Sequence, residues 1–219
     1  MVHIVLASAS PRRSELLSSI CPDFKVVSMD IDETPSKNTL VENIALEVAR
    51  KKMETAIATV ECFDVLITAD TVVIDMDQPL GKPSSREEAI HTLTSLRGKS
   101  HKVITAVVVA SRVNLNQDVE VDEIVSVSEV VMRDYSDTAI HEFVGRGEAD
   151  DKAGAYAIQD AEFSPVQELQ GCECSVMGLP VNELRDSLSK LSILGLELSN
   201  PGDTRSRCGE CPFVWFCKN

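Results

Sequence analysis

The chain has 219 residues, 43% hydrophobic and 26% charged, enough for one substantial buried core and too apolar for a disordered or collagen-like polymer. Its 35 acids against 21 Lys and Arg give a formal charge of -14, a field that repels DNA, RNA and anionic lipid. No nucleic-acid polymer or membrane is therefore expected as a partner.

In chain order, His3 to Ala7 is a short apolar run that predicts a buried strand. It breaks at Ser8-Ala9-Ser10 into Pro11, a favoured first helical residue, and a helix to about Ile20. Phe24 to Met29 predicts a second strand, followed by a polar loop from Asp30 to Asn38 that includes Glu33. Thr39, with Glu42 three residues on, predicts a capping box for a long helix reaching about Val60. Val65 to Ala69 is the next strand, ending at Asp70, and Thr71 to Leu80 reads as a hairpin or bulge.

After Gly81-Lys82-Pro83, Ser84 and Glu87 predict a second capping box and a helix to Leu96, ended by Gly98. Lys102 to Arg112 and Val119 to Met132 are β-branched runs expected to pair antiparallel about Asn114-Leu115-Asn116. Ser136 to Val144 predicts a short helix, residues 151 to 178 an irregular stretch of small and polar residues, and Leu179 to Leu198 a final helix opened by Pro180. The domain expected is residues 1–198, with 199–219 a Cys-rich tail.

Charge is partitioned along the chain. Residues 1 to 52 balance seven acids with seven bases, whereas residues 118 to 151 carry eleven acids against only Arg133 and Arg146. Anion-binding chemistry is therefore expected in the N-terminal quarter. There Ser8, Ser10, Arg12 and Arg13 lead into a helix start, where backbone N–H groups, the helix dipole and guanidinium forks all favour phosphate.

Asp70, at the carboxyl end of an apolar strand, can bind a divalent metal or orient a water. Each residue also has a plain structural reading: an N-cap with solvated arginines, a turn-capping Asp70, a solvated Glu33, surface lysines at Lys52 and Lys82. As a set, four cations for a polyanion and two carboxylates for a hard metal such as Mg²⁺ or Mn²⁺ are what phosphoanhydride chemistry requires. No Gly-x4-Gly-Lys-Ser/Thr loop is present, and Gly145-Arg146-Gly147 lacks the third glycine of a dinucleotide fingerprint.

Ser8-Ala9-Ser10-Pro11-Arg12-Arg13, Ala69-Asp70-Thr71-Val72-Val73, Gly81-Lys82-Pro83, the run from Asp151 to Gln159, and Val176-Met177-Gly178-Leu179-Pro180 together resemble the Maf family of nucleoside triphosphate pyrophosphatases. The resemblance implies a two-lobed α/β fold like that of the inosine triphosphatases, with a mixed, elongated sheet and a central nucleotide cleft. It implies hydrolysis of a triphosphate to monophosphate and pyrophosphate by metal-assisted attack of water on the α-phosphorus, with non-canonical nucleotides among the candidate substrates.

Asp70 matches the family's general base and metal ligand, Glu33 its second acidic cleft residue, and Lys52 and Lys82 its phosphate-binding lysines. Arg12, Thr71 and Gln159 match positions tied to base specificity, in versions like the branch acting on dTTP and UTP. The sequence departs from the family's pattern at Asp160, where Gly is usual, and at Cys172 and Cys174 in a Gly-Ser-Tyr-Ser-type segment. The alternative is a nucleotide-binding regulator of cell division with little turnover, against which the two carboxylates argue.

The odd count of seven cysteines, and an N-terminus that reaches Ser8 to Arg13 before any apolar stretch of leader length, lead to a cytoplasmic location as the expectation. In the tail, Cys208, Cys211 and Cys217 could hold zinc or an iron–sulfur cluster only with a fourth ligand from Cys172, Cys174 or another chain. Free thiols beside Phe213, Trp215 and Phe216 are the expectation there. Oligomeric state is left open, a homodimer included.

Overall fold

A computed structural model of the chain describes residues 2–112, 119–191, 196 and 198. β1 (Ile4–Ala7) lies between two parallel neighbours, β2 (Lys25–Val27) and β3 (Val65–Asp75). From β3 the sheet continues antiparallel through β5 (Ser100–Arg112), β6 (Val119–Met132) and β7 (Val166–Gln170). β4 (Gln78–Leu80) doubles back on the end of β3 through Met76 and Asp77, both at positive φ. The result is a seven-stranded mixed sheet, the α/β class expected.

The site depends on how β3 is flanked. On one edge it pairs with β5 without interruption from Val65↔Ser111 to Ile74↔Lys102. On the other edge the register of β1 reaches only Ile67, and that of β4 begins at Val73. Residues 68 to 72 therefore face a notch between two strand ends among the described residues. The pleat alternates successive side chains between faces: Leu66, Thr68, Asp70 and Val72 point one way, Ile67, Ala69, Thr71 and Val73 the other.

Helices cover both faces. On the Asp70 face, α2 (Ile44–Thr59) packs Ala45, Val48, Ala49 and Met53 against Val5, Leu66, Ile104 and Val108. On the other face, α1 (Pro11–Ser18) and α6 (Val181–Lys190) bury Leu16, Leu17, Leu184 and Leu188 against Ile67 and Val107. Further along that face, α3 (Arg86–Leu96) and α4 (Asp137–Gly145) gather Leu93, Leu96, Ile140 and Phe143 around Val73, Val103 and Met132. These two clusters on one face form the two lobes, and Thr71 lies between their strand residues. Truncating a fully buried leucine in either would cost about 2–5 kcal/mol.

Several local expectations shift. β3 continues through Asp70 to Asp75, so Asp70 is central in its strand and not at the strand's carboxyl end; Thr71 to Asp75 keep the apolar alternation and the pairing with β5. Thr39 caps no helix. A 3₁₀ turn, Val41–Asn43, precedes α2, and the Thr39 hydroxyl donates instead to Glu47. The second capping box sits one residue later than predicted, with Ser85 accepting from the Glu88 N–H and Ser84 bonding the Glu88 carboxylate.

The stretch read as irregular holds β7 and a short helix, α5 (Glu173–Met177), whose Gly178 cap takes the left-handed conformation at φ 118. The last helix ends at Lys190, eight residues before the predicted end. The expected turn at Asn114 to Asn116 and the tail cysteines Cys208, Cys211 and Cys217 lie outside the described residues.

Candidate functional site

The notch beside β3 opens into a cleft of about 640 Å³ whose walls include Ser8, Ser10, Arg12, Arg13, Glu33, Lys52, Asp70, Thr71, Lys82 and Gln159. The structure thus brings every candidate residue outside the tail into one cavity. Three features of the fold do this: the end of β1 releases the Ser8 to Ser10 turn, β3 carries Asp70 and Thr71 across the opening, and the hairpin ending in Leu80 delivers Lys82.

Lys52 is the hub of the acidic wall. The Thr68 hydroxyl donates to the Ala49 carbonyl at 2.8 Å, fixing α2 over β3. The next turn of α2 brings Lys52, only 7% exposed, to Asp70. Its ammonium donates to Asp70 Oδ1 at 2.8 Å and lies 2.8 Å from Glu33 Oε1. Glu33 arrives on a loop pinned to the same helix: Lys51 donates to the Thr34 carbonyl, while Glu47 accepts from the Ser36 N–H and the Thr39 hydroxyl. The bonds from Thr39, Lys51 and Ser36 hold the Glu47 carboxyl down at about 2.

The two cleft carboxylates are tuned apart. Burial pushes the Asp70 pKa up, and the nearby charges of Lys52 and Arg13 only partly offset this. Burial acts in the same sense on Glu33, but the Lys52 hydrogen bond and the charges of Lys52, Lys82 and Arg13 outweigh it, and the net shift is down. Asp70 is therefore the better proton acceptor and Glu33 the more permanently charged oxygen donor.

Arg13 differs from its expected role. Its guanidinium donates to the carbonyls of Gly178 at 2.9 Å and Ala69 at 2.8 Å, and to the hydroxyls of Thr71 at 3.2 Å and Ser8 at 3.3 Å. Those bonds occupy its donor fork and make it a brace joining α1, β3 and the end of α5. A Cβ on Gly178 would stand 3.2 Å from Arg13 Nε, a tight contact that adds to the preference for glycine already set by the positive φ. Thr71 belongs to the same brace, with Thr105 Oγ1 at 2.9 Å.

Arg12 instead pairs with Asp151 across the cleft at 2.9 Å. Lys82 is exposed and makes no ion pair among the described residues. Ser10 is the N-cap residue of α1, yet its hydroxyl makes no capping bond. Gln159 is half-buried on the wall, and its side-chain amide makes no hydrogen bond among the described residues. These four side chains are the ones best placed to meet a ligand.

The sequence reading missed two cleft residues. Lys152, 8% exposed, lies 2.7 Å from Asp151 and 3.5 Å from Glu148, and Asp151 links it to Arg12. Both sit at the edge of the acidic segment, where charge counting directs attention away from them. Gly154, at φ 71, allows the backbone here to lie against Val73 and the Gly81 carbonyl.

Two carboxylate oxygens converging on one ammonium, in the same cleft as the exposed Lys82, suit a hard divalent metal carried with phosphate oxygens: Mg²⁺ is commonly held by one or two carboxylates plus substrate phosphates. Among the described residues no cluster of three or more His, Cys, Asp or Glu forms a separate metal cage. No described helix is long and apolar enough to cross a membrane.

Residues 3–191 match the family model described as "Maf-like protein". A dTTP/UTP pyrophosphatase of Desulforamulus reducens is 38% identical over 193 residues, 88% of this chain and 98% of that protein. One from Thermomicrobium roseum is 44% identical over 215 residues, 96% of this chain and 94% of that protein. Among solved structures, the Staphylococcus aureus Ham1 protein aligns over 85% of this chain and 98% of its own, at 16% identity and a TM-score of 0.45.

Proposed function

The chain belongs to the Maf family, and from that premise we propose that it hydrolyses nucleoside triphosphates, dTTP and UTP foremost, to the monophosphate and pyrophosphate. The convergence of Asp70, Glu33 and Lys52 with Arg12, Lys82 and Gln159 in one cleft carries this reading. Relatives named dTTP/UTP pyrophosphatase and alignable along most of their length support the choice of substrate.

In this reading Lys82 and Arg12 take up the negative charge of the triphosphate, while the turn at Ser8 to Ser10 offers hydroxyls and backbone donors. Asp70, its basicity raised by burial, orients a water toward the α-phosphorus and accepts its proton. Lys52 keeps Asp70 and Glu33 in place. Glu33 and Asp70 would hold the divalent metal, which when bound neutralises charge on the phosphate oxygens. Arg13 and Thr71 keep the wall rigid. A binder with little turnover would gain nothing from a buried carboxylate that opposes an incoming polyanion. The free thiols of Cys21 and Cys62 suit a reducing cytoplasm.

The test is a side-by-side assay of pyrophosphate release from dTTP, UTP, dCTP, ATP and GTP with Mg²⁺, repeated after chelation. Preference for dTTP and UTP, abolished by chelation, is expected. Release of orthophosphate alone, or no release from any of the five, would sink the reading.

A further inference from the structure

Next to Gln159 stands a set of contacts that the chemistry above does not use. Asp160 Oδ1 accepts the Phe163 N–H at 2.7 Å, and the two Asp160 oxygens receive Arg146 Nη2 at 2.9 and 3.0 Å. The backbone closes the same turn at both ends: the Asp160 N–H donates to the Ala157 carbonyl at 3.1 Å, and the Ser164 N–H to the Asp160 carbonyl at 2.8 Å. Arg133 donates to the carbonyls of Phe163 and Ser164.

Phe163 stacks on Phe143 of α4, centroids 4.5 Å apart, and the Arg146 guanidinium lies 5.4 Å from the same Phe143 ring. Arg146 is the C-cap residue of α4, where a cation also meets the negative end of the helix dipole. The turn that begins immediately after Gln159 is thus bolted to the Phe143 lobe by charge, hydrogen bonds and ring stacking.

We propose that the Asp160–Arg146 pair is a specificity clamp, a positioning unit that fixes Gln159 at one depth in the cleft so that its amide meets the polar edge of a one-ring base. The proposal rests on the reading of the cleft as a nucleoside triphosphate site. An amide offers one acceptor and two donors, which match the ring N–H and carbonyl oxygen of uracil and thymine. Such a group discriminates only when its backbone is held, because a mobile side chain follows whichever base enters. The clamp acts on the base alone: the cations assigned to the phosphates sit on other elements.

The test is calorimetric binding to the full chain with Mg²⁺ of two probes, the non-hydrolysable α,β-imido-dUTP and inorganic triphosphate. Asp160→Gly removes both arms of the clamp; Arg146→Met removes one and leaves the Phe163 N–H bonded. Each is expected to weaken the nucleotide analogue about tenfold, leave inorganic triphosphate within about twofold, and raise the KM for dTTP more than it lowers kcat. Asp160→Asn, which keeps an acceptor for Phe163, recovers part of the loss.

Equal weakening of both probes would mark a general loosening and overturn the clamp, as would unchanged binding of the analogue. If the unsubstituted protein binds the analogue but releases no pyrophosphate, the hydrolytic reading fails, and the comparison of affinities still decides the clamp. If it does not bind the analogue, both fall.

Discussion

Lys52 Nζ donates to Asp70 Oδ1 at 2.8 Å, joining a helix to the middle of a strand across the floor of the cleft. The same ammonium lies 2.8 Å from Glu33, so one cation sets the positions of both acidic groups. A buried arrangement of this kind is asymmetric in its energetics. Removing the cation strands a charge, whereas removing one carboxylate leaves the other to balance it.

Asp70→Asn is therefore expected to keep the fold and lose the chemistry. Pyrophosphate release should drop by at least about 10²-fold, the scale of a positioned general base. Urea unfolding at pH 7 should show stability at least equal to that of the parent, because burial already disfavours the Asp70 charge in the folded state. Full turnover in this variant would rule out the role given to Asp70.

Lys52→Met should do the reverse to stability. With Asp70 left ionised and unpaired, unfolding free energy should fall by about 3 kcal/mol, read from the shift in urea midpoint at constant slope. Adding Asp70→Asn to Lys52→Met should restore much of that loss. Strict additivity of the two single changes would show that they do not interact.

Arg13→Lys retains the charge but cannot reproduce a fork that reaches Gly178, Ala69, Thr71 and Ser8. With net contributions of about 1 kcal/mol per hydrogen bond, a loss of about 2 kcal/mol and a fall of several degrees in Tm are expected. Gly178→Ala should lower Tm as well, through its φ of 118 and its contact with Arg13. An Arg13→Lys protein as stable as the parent, with only its KM raised, would make Arg13 a substrate ligand and not a brace.

Acid should act at two places. In the proposed mechanism Asp70 must be ionised to accept the proton of water, so its raised pKa should move the acid limb of kcat/KM, read from a pH–rate profile, to a higher pH than an ordinary aspartate would give. For folding the sense is opposite: Asp70 contributes stability below its unfolded pKa and loses it as pH rises through the raised folded value. Glu33, shifted down, contributes stability at higher pH and loses it as pH falls through its folded value.

His101 adds a separate effect. It is 3% exposed, lies 2.9 Å from the Tyr156 hydroxyl, and is pushed down to about 4 by burial. The unfolded chain takes up that proton near pH 6.5 and the folded chain does not, so stability should fall by about 3 kcal/mol between pH 6.5 and 4. In a His101→Gln protein, denaturant titrations across that range should show a much flatter dependence.

The local sequence was enough for the elements whose signals are local. Pro11 after a polar turn starts α1, β-branched runs form β5 and β6, and a capping serine opens α3, although one residue later than its pattern suggests: Glu88 serves both serines, its N–H bonded to Ser85 and its carboxylate to Ser84. What the sequence could not reveal by period or propensity was β7 and α5, short elements that exist because β6 and the Ser128 hydroxyl receive them: Val130 pairs with Leu169, and Ser128 bonds Cys172. Nor could it show that β3 runs on past Asp70, since an aspartate inside an apolar run reads as a strand end until the β5 partner is in view.

By itself the sequence determined which residue types were available for the site, the partition of charge that points to the N-terminal quarter for anion binding, and the motifs that place the chain in its family. Only the tertiary structure decided how those residues divide their work. Arg12 and Arg13 are neighbours of identical chemistry, yet one faces the cleft with Asp151 and the other is held by four acceptors within the wall. Lys52 and Lys82 differ in the same way, one buried between carboxylates and one exposed. Side-chain role follows from which acceptors lie within about 3 Å, and strands and helices far apart in the chain supply those acceptors.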